Sequence, residues 1–293
     1  MTLDTNLSIS PYFDDFNANS GYYQVLFKPS VAVQVRELNQ VQSILQNQIS
    51  NFADNIFKQN SPVTGGQVTT NFNCFYIKLK STYNNIVFDV TEFNGLLVQN
   101  SSGSVRARVL STVPSLGGDP PTLIVSYVSG IHFKAGDNIQ SIAGSTGIYY
   151  ATVSTAGSNA TGTSSVASIA DGVFYIVNGY SISNSTGTKY SIGNFVNVTS
   201  QTIILDKYDS TPSFRVGLQI TENIYDYVND QSLLDPAIGA SNYQAPGADR
   251  YVVTLTLVTL PLTLGNDDQF IELVRIVNGN IVKQVDGTVY STI

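Results

Sequence analysis

The sequence predicts a mainly β fold with one long N-terminal α-helix, built as a β-sandwich or barrel-like core carrying a small inserted β-domain. Three observations point there. Short β-branched or aromatic runs separated by Asn and Gly clusters recur from Asn73 to the end of the chain. Only the stretch between Pro29 and Pro62 sustains a helical period. A Gly-, Ser-, Ala- and Thr-rich tract from Gly130 to Ala170 interrupts the firmer strands on either side.

The first 28 residues are rich in Asn, Asp, Tyr and Phe, carry turn signals at Ser10-Pro11 and Ser20-Gly21, and read as an extended arm. Lys28-Pro29 then opens the helix, with proline in or before its first turn, and Asn60-Ser61-Pro62 with Gly65-Gly66 supplies the stop. Leu38, Val41, Leu45, Ile49, Phe52 and Ile56 recur at spacings of 3, 4, 4, 3 and 4, a 3.6-residue period that stacks them in one apolar ridge. Around them stand amides, Gln34, Asn39, Gln40, Gln42, Gln46, Asn47 and Gln48, with only Arg36, Glu37 and Asp54 charged. Amides can be buried against a partner by exchanging hydrogen bonds, without desolvating ions. Two readings stay open: a helix lying on its own sheet, or helix-to-helix oligomerisation.

Strands are expected at Asn73 to Leu79, Ile86 to Val90 and Leu96 to Gln99, then at Ser104 to Thr112 and Thr122 to Val128 on either side of a Gly-Gly-Asp-Pro-Pro turn. Sparse anchors follow at Phe133, Ile139, Ile142, Ile148 and Val153. Firmer strands resume at Val173 to Val177, Thr202 to Leu205, Phe214 to Ile220 and Tyr251 to Leu260, with a hairpin about Asn278-Gly279. The expected division is an arm and docking helix over 1–60, a discontinuous β core over 61–100 and 171–293, and an inserted unit over 101–170. The loop from Ser232 to Ala248 is long enough that it is either pinned or functional.

Composition narrows the function. Among 293 residues, charged side chains make up 12%, about half the usual share, so uncharged polar groups must cover most of the surface. A net charge of −7 argues against a nucleic-acid partner, which needs a Lys/Arg surplus to displace counterions. The start lacks a basic and apolar leader and no run approaches 18 apolar residues, so the chain is expected to work in solution with no membrane partner. Cys74 and His132 are each the only one of their kind, which leaves no intrachain disulfide and few ligands for a transition metal.

Catalytic patterns are weak. A Ser or Cys triad has only His132 as base, in a strand-like Gly-Ile-His-Phe context. Cys74 reads as a buried small hydrophobe. Glycan cleavage needs only two carboxylates, and Asp14 with Asp15, Asp206 with Asp209, Glu222 with Asp226, and Asp267 with Asp268 are candidates, yet each pair sits at a turn or strand end where acidic residues serve the backbone. Gly65-Gly66 and Gly117-Gly118 lack a phosphate-cradling context. No catalytic, cofactor-binding or metal-ligating residue is assigned, and no cofactor is expected.

Longer segments carry a resemblance. Tyr12-Phe-Asp-Asp-Phe, Leu26-Phe-Lys-Pro, Ala32-Val-Gln-Val-Arg-Glu-Leu and Gln42-Ser-Ile-Leu-Gln-Asn-Gln are followed by a second block. That block comprises Gln201-Thr-Ile-Ile-Leu-Asp-Lys-Tyr, Pro212-Ser-Phe-Arg-Val-Gly, Ser232-Leu-Leu-Asp-Pro-Ala and Asn242-Tyr-Gln-Ala-Pro-Gly-Ala-Asp-Arg-Tyr. Together they resemble a family of virion structural proteins of contractile-tailed phages, many of them cyanophages. The likeness covers about 10–100 and 170–290. Ser30 stands where that pattern has Gly, and Val35 and Asn39 replace small or Thr residues. Relatives look longer, so the natural chain is expected to continue past Ile293.

The resemblance implies a non-enzymatic tail, baseplate or tail-fibre component. The expectation is therefore a virion protein assembled in the host cytoplasm, docking as a homotrimer to other tail or baseplate proteins. Its arm and helix would make the contact, with Leu38, Val41, Leu45, Ile49, Phe52 and Ile56 as the interaction residues. The alternative is a receptor-binding or polysaccharide-degrading tail spike module, using Tyr and Asn loops near 140–165 or 232–248.

Overall fold

The computed structural model describes residues 7–142, 147–155, 160–177, 181–183, 189–263 and 269–291. Its one α-helix, α1 (Val35–Asp54), starts where the Glu37 carboxylate accepts a 2.9 Å hydrogen bond from the Gln34 backbone N–H. That contact satisfies a donor left over at the first turn. The start expected at Pro29 is therefore corrected. Pro29 lies in a turn where Ser30 adopts φ +67°, a left-handed conformation that cannot continue a right-handed helix. The stop also comes earlier: Asn55 caps the helix, and Ser61-Pro62 opens a strand.

The strands are β1 (Ser61–Gly65), β2 (Val68–Lys78), β3 (Thr82–Tyr83), β4 (Ile86–Val87), β5 (Leu97–Asn100), β6 (Arg106–Val113), β7 (Thr122–Ser129), β8 (Asn138–Ser141), β9 (Tyr150–Thr152) and β10 (Thr161–Ile169). They continue as β11 (Gly172–Ile176), β12 (Ser181–Ser183), β13 (Lys189–Ser191), β14 (Asn194–Val198), β15 (Gln201–Asp206), β16 (Phe214–Tyr225), β17 (Arg250–Leu260), β18 (Phe270–Val277) and β19 (Asn280–Gln284). Among the described residues the protein is mainly β, with 45% strand and 12% helical.

Eight strands form one antiparallel sheet in the order β15-β10-β2-β7-β6-β5-β8-β9. It curls into a half-barrel, and its far edge returns to the end of β2: Leu79 bridges Val153, and Lys80 N–H donates to the Thr152 carbonyl at 2.9 Å. Curling encloses Ile77, Phe93, Leu123, Val125, Phe133 and Val153 in one core. This departs from the separate unit expected over 101–170. Strands on both sides of those boundaries, β2 and β5 before and β15 after, hydrogen-bond directly to strands from within them.

A three-stranded sheet, β1-β11-β14, and a four-stranded sheet, β17-β16-β18-β19, share a second core built on Phe174, Ile176, Val216, Leu218, Leu257 and Ile276. The last hairpin turns where expected, with Asn278 at φ 49° and Gly279 at φ 73°, the positive angles that a two-residue turn between twisted strands requires. The helix lies against the three-stranded sheet, where Ala53 packs with Tyr175 and Val177.

Candidate functional site

The seat of α1 is polar. Ser43, Ser50 and Ala53 are buried, while Gln46 Nε2 donates to the Gly193 carbonyl at 2.7 Å and to Asn194 Oδ1 at 3.0 Å. Gly193 N–H donates to Ser50 Oγ at 2.8 Å, and the Tyr175 hydroxyl lies 3.1 Å from Ser50 Oγ, from the Ser50 carbonyl and from Asp54 Oδ1. Burial, partly offset by the hydrogen bond to Ser50, pushes the Tyr175 phenol up to about 12, so it stays a neutral donor. At the N-terminal end of the helix, Asn39 Nδ2 donates to the Tyr12 carbonyl at 2.9 Å, and Ser43 Oγ donates to Asp14. Only Ile44 gives this side a large apolar contact, with Phe16 of the arm and Ile192.

With that side occupied, the apolar ridge faces outward. Leu38 is 49% exposed, Leu45 60%, Ile49 46% and Phe52 70%, while Val41 and Ile56 are half-buried. The helix does lie on its own domain, but through the opposite face from the stripe that sequence periodicity picked out. The arm divides similarly. Its first part is pinned by buried Phe16, by Tyr12 Oη on Asp249 at 2.5 Å and by an Arg36–Asp15 ion pair at 3.0 Å. Its second part exposes Tyr22, Tyr23, Leu26, Phe27, Val31 and Val33. Scattered apolar residues on a surface are ordinary, but this many from one continuous stretch are not.

Between arm, helix and the β16–β17 pair lies a cleft of about 600 Å3, lined in part by Tyr12, Gln42, Gln46, Asp249, Arg250 and Tyr251. Its deepest acid, Asp14, is nearly sealed from solvent, and burial raises its pKa despite hydrogen bonds from Ser43 and the Phe16 N–H. Asp15 points away to Arg36. Asp206 and Asp209 accept from the backbone N–H groups of Tyr208 and Thr211, as turn-forming aspartates do, and Asp226 does the same for Val228 and Asn229. Glu222 is buried in β16 and accepts from Tyr251 Oη at 2.8 Å. Asp267 and Asp268 lie outside the described residues.

His132 packs its ring against Phe75 and Tyr127, with centroids 4.5 and 4.8 Å away. Cys74 is fully buried, and burial pushes its thiol up to about 11. The 232–248 loop is pinned: Asp235 accepts from Ala237 N–H and Asn242, and Gly247 N–H donates to the Leu233 carbonyl. It leaves Ile238 and Tyr243 exposed.

Two ionic clusters were not foreseen in the sequence, because each is completed by residues far apart in it, Lys78 and Lys207 around Asp119 and Arg215 beside Glu272. Asp119 meets Lys78 and Lys207 at 3.1 and 2.6 Å, and Glu272 meets Arg215, Arg275 and Lys283. Among the described residues no group of three or more His, Cys, Asp or Glu is placed to hold a metal, and no helix is long and apolar enough to cross a membrane.

No curated protein and no solved structure matches the chain. One family model does, over residues 10–89 and 130–293; its description is a domain of unknown function, DUF4815. The arm from residue 10 on, α1 and both smaller sheets fall within the matched segments, whereas β5, β6 and β7 lie in the gap between them. The match covers well over half of the residues, so the chain belongs to the DUF4815 domain family.

Proposed function

We propose that this protein is a non-enzymatic structural component of a contractile phage tail, a baseplate or tail-fibre attachment protein. It docks through its N-terminal arm and α1 in a homo-oligomeric assembly within the virion. The observation that carries the docking role is the outward ridge of Leu38, Leu45, Ile49 and Phe52 on a helix whose other side is held by hydrogen bonds. Burying each large side chain of this kind is worth about 1.5–3 kcal/mol when complete, more than exposed ion pairs supply. The phage-tail assignment draws on the sequence resemblance described above.

The test is assembly of particles carrying Leu45→Asp. The exposed position lets the variant fold, and the expected outcome is virions or tails that lack the protein or fail to mature. Incorporation at the wild-type level would remove the docking role. A tail-spike hydrolase is tested separately by release of reducing sugar from host surface glycan, with no release expected.

A further inference from the structure

The outward face of α1 has a tighter period than the stripe read from the sequence. Following exposure adds Val35, 69% exposed, and replaces half-buried Val41 with exposed Gln42. Val35, Leu38, Gln42, Leu45, Ile49 and Phe52 then alternate by three and four residues, 17 residues in five steps, which is the three-four alternation of a coiled-coil seam. Val35, Gln42 and Ile49 occupy one core position of the heptad and Leu38, Leu45 and Phe52 the other. A surface helix packing on its own domain has no need of a strict seam on its solvent side.

We infer that the occupant of this face is a second copy of this chain, set ridge against ridge. The inference rests on the proposed reading of arm and helix as an interface and names the partner. Charge argues for self-association. The chain carries −7 overall, yet each charged residue of the helix is engaged within its own chain: Arg36 with Asp15 at 3.0 Å, Glu37 with the Gln34 N–H at 2.9 Å, and Asp54 with Tyr175 at 3.1 Å. On one flank of the seam stand Gln34, Val41, Gln48 and Asn55, none of them charged, while on the other Asn39 and Gln46 are hydrogen-bonded to their own domain. Identical faces therefore meet without like-charge repulsion, whereas the face offers no charge pattern by which to select a different partner. Gln42 meets its own copy in the middle of the seam, the position where a single polar residue sets register.

Area agrees. The exposed apolar side chains of ridge and arm together present on the order of 800 Å2 per copy, taking typical burial areas for aliphatic and aromatic side chains. That is about what each partner contributes to a stable interface. β-Branched residues at the first core position with leucine at the second favour two strands, against the three expected from the sequence.

Sedimentation equilibrium or light scattering of the full 293-residue chain at tens of micromolar tests the seam, with wild type compared to Leu45→Glu. The expected result is a wild-type mass two or three times 31.6 kDa, either multiple supporting the seam, and 31.6 kDa for the variant with an unchanged circular dichroism spectrum. Leu45→Cys supplies a second reading: oxidation should link copies through residue 45, while Leu116→Cys, on an exposed turn elsewhere, should not. A monomeric wild type, a Leu45→Glu oligomer of wild-type mass, or equal cross-linking at 45 and 116 overturns the inference. Failure of the broader reading looks different. A wild-type monomer whose Leu45→Glu variant is excluded from particles docks to another tail protein, whereas a dissociated variant still incorporated normally keeps the seam and removes the docking role.

Discussion

The hydroxyl of Tyr175 stands 3.1 Å from both the backbone carbonyl and the Oγ of Ser50, joining the middle strand of the three-stranded sheet to the last turns of α1. Because Ser50 Oγ already accepts from Gly193 N–H, its own proton is free for the tyrosine oxygen, and the tyrosine proton for the carbonyl or Asp54. Apolar packing tolerates rotation of a helix about its axis. A directional hydrogen-bond set does not, so this lock fixes which side of α1 faces out.

Tyr175→Phe keeps the ring and deletes the lock. The expected cost is about 1–3 kcal/mol, because buried Ser50 and partly buried Asp54 lose a partner that water cannot readily replace. Denaturant unfolding measures it, and amide exchange in α1 should accelerate before that of β16 and β18. A variant with the wild-type midpoint and unchanged exchange contradicts the lock.

Gly193→Ala attacks the same contact sterically. A Cβ there would lie 2.1 Å from the Tyr175 hydroxyl and 2.4 Å from its ring carbons, and that ring is fully buried. The ring must move, so overpacking of about 1–3 kcal/mol adds to loss of the Ser50 contact. The melting temperature of Gly193→Ala should fall below that of Tyr175→Phe. In the double variant the two losses should be less than additive, since both act on one contact.

The spacing of the ridge was legible because a 3.6-residue period survives any environment; its direction was not. The usual assumption turns leucines inward, and here Ser43, Ser50, Ala53 and Gln46 take the inner side, of which only Gln46, one of the flanking amides, stood out in the sequence. The helix start was misplaced for a local reason, the left-handed backbone of Ser30. Strand β10 was hidden by composition: Ser164, Ser165 and Ala167 are fully buried beside β2 and β15, where small side chains suit close strands better than the β-branched runs that mark a strand. Its neighbours in the sheet come from residues 68–78 and 201–206, a long-range pairing that no local pattern announces, and the expected boundary at 170 failed with it.

Acid sensitivity should centre on Asp119. Hydrogen bonds from Lys207 and Tyr208, and a further one from Lys78, hold its carboxyl well below the usual carboxylate range despite some desolvation. A folded-state pKa below the unfolded value of about 3.9 adds stability that is complete above that pH and fades as pH falls toward the folded value. Wild type should therefore lose stability steeply below about pH 4. Asp119→Asn should be less stable at pH 7 but show a shallower acid limb, read by melting temperature against pH. Because Asp119 is about one third exposed, the neutral-pH loss should be modest and should shrink in high salt. Parallel acid limbs for the two proteins would refute this assignment.

Glu272 makes the opposite case, since its partner is sealed. Burial would raise its pKa, but hydrogen bonds from Arg275 and Lys283 outweigh that and hold it low, so it stays ionised beside Arg215, whose side chain is only 3% exposed. Arg215 also donates to the Pro261 carbonyl at 3.2 Å and lies over the Phe270 ring, so the guanidinium cannot swing out to water without opening the sheet. Removing the carboxylate charge with Glu272→Gln takes the buried Glu272–Arg215 ion pair away, and breaking a buried pair from one side costs about 3–5 kcal/mol. Arg275→Gln, at a side chain 42% exposed, should cost under about 1 kcal/mol. Equal losses in denaturant unfolding would mean that the network is held from the surface and not from Arg215. The loss in Glu272→Gln should also persist at high ionic strength, because ions do not reach the buried half of the pair.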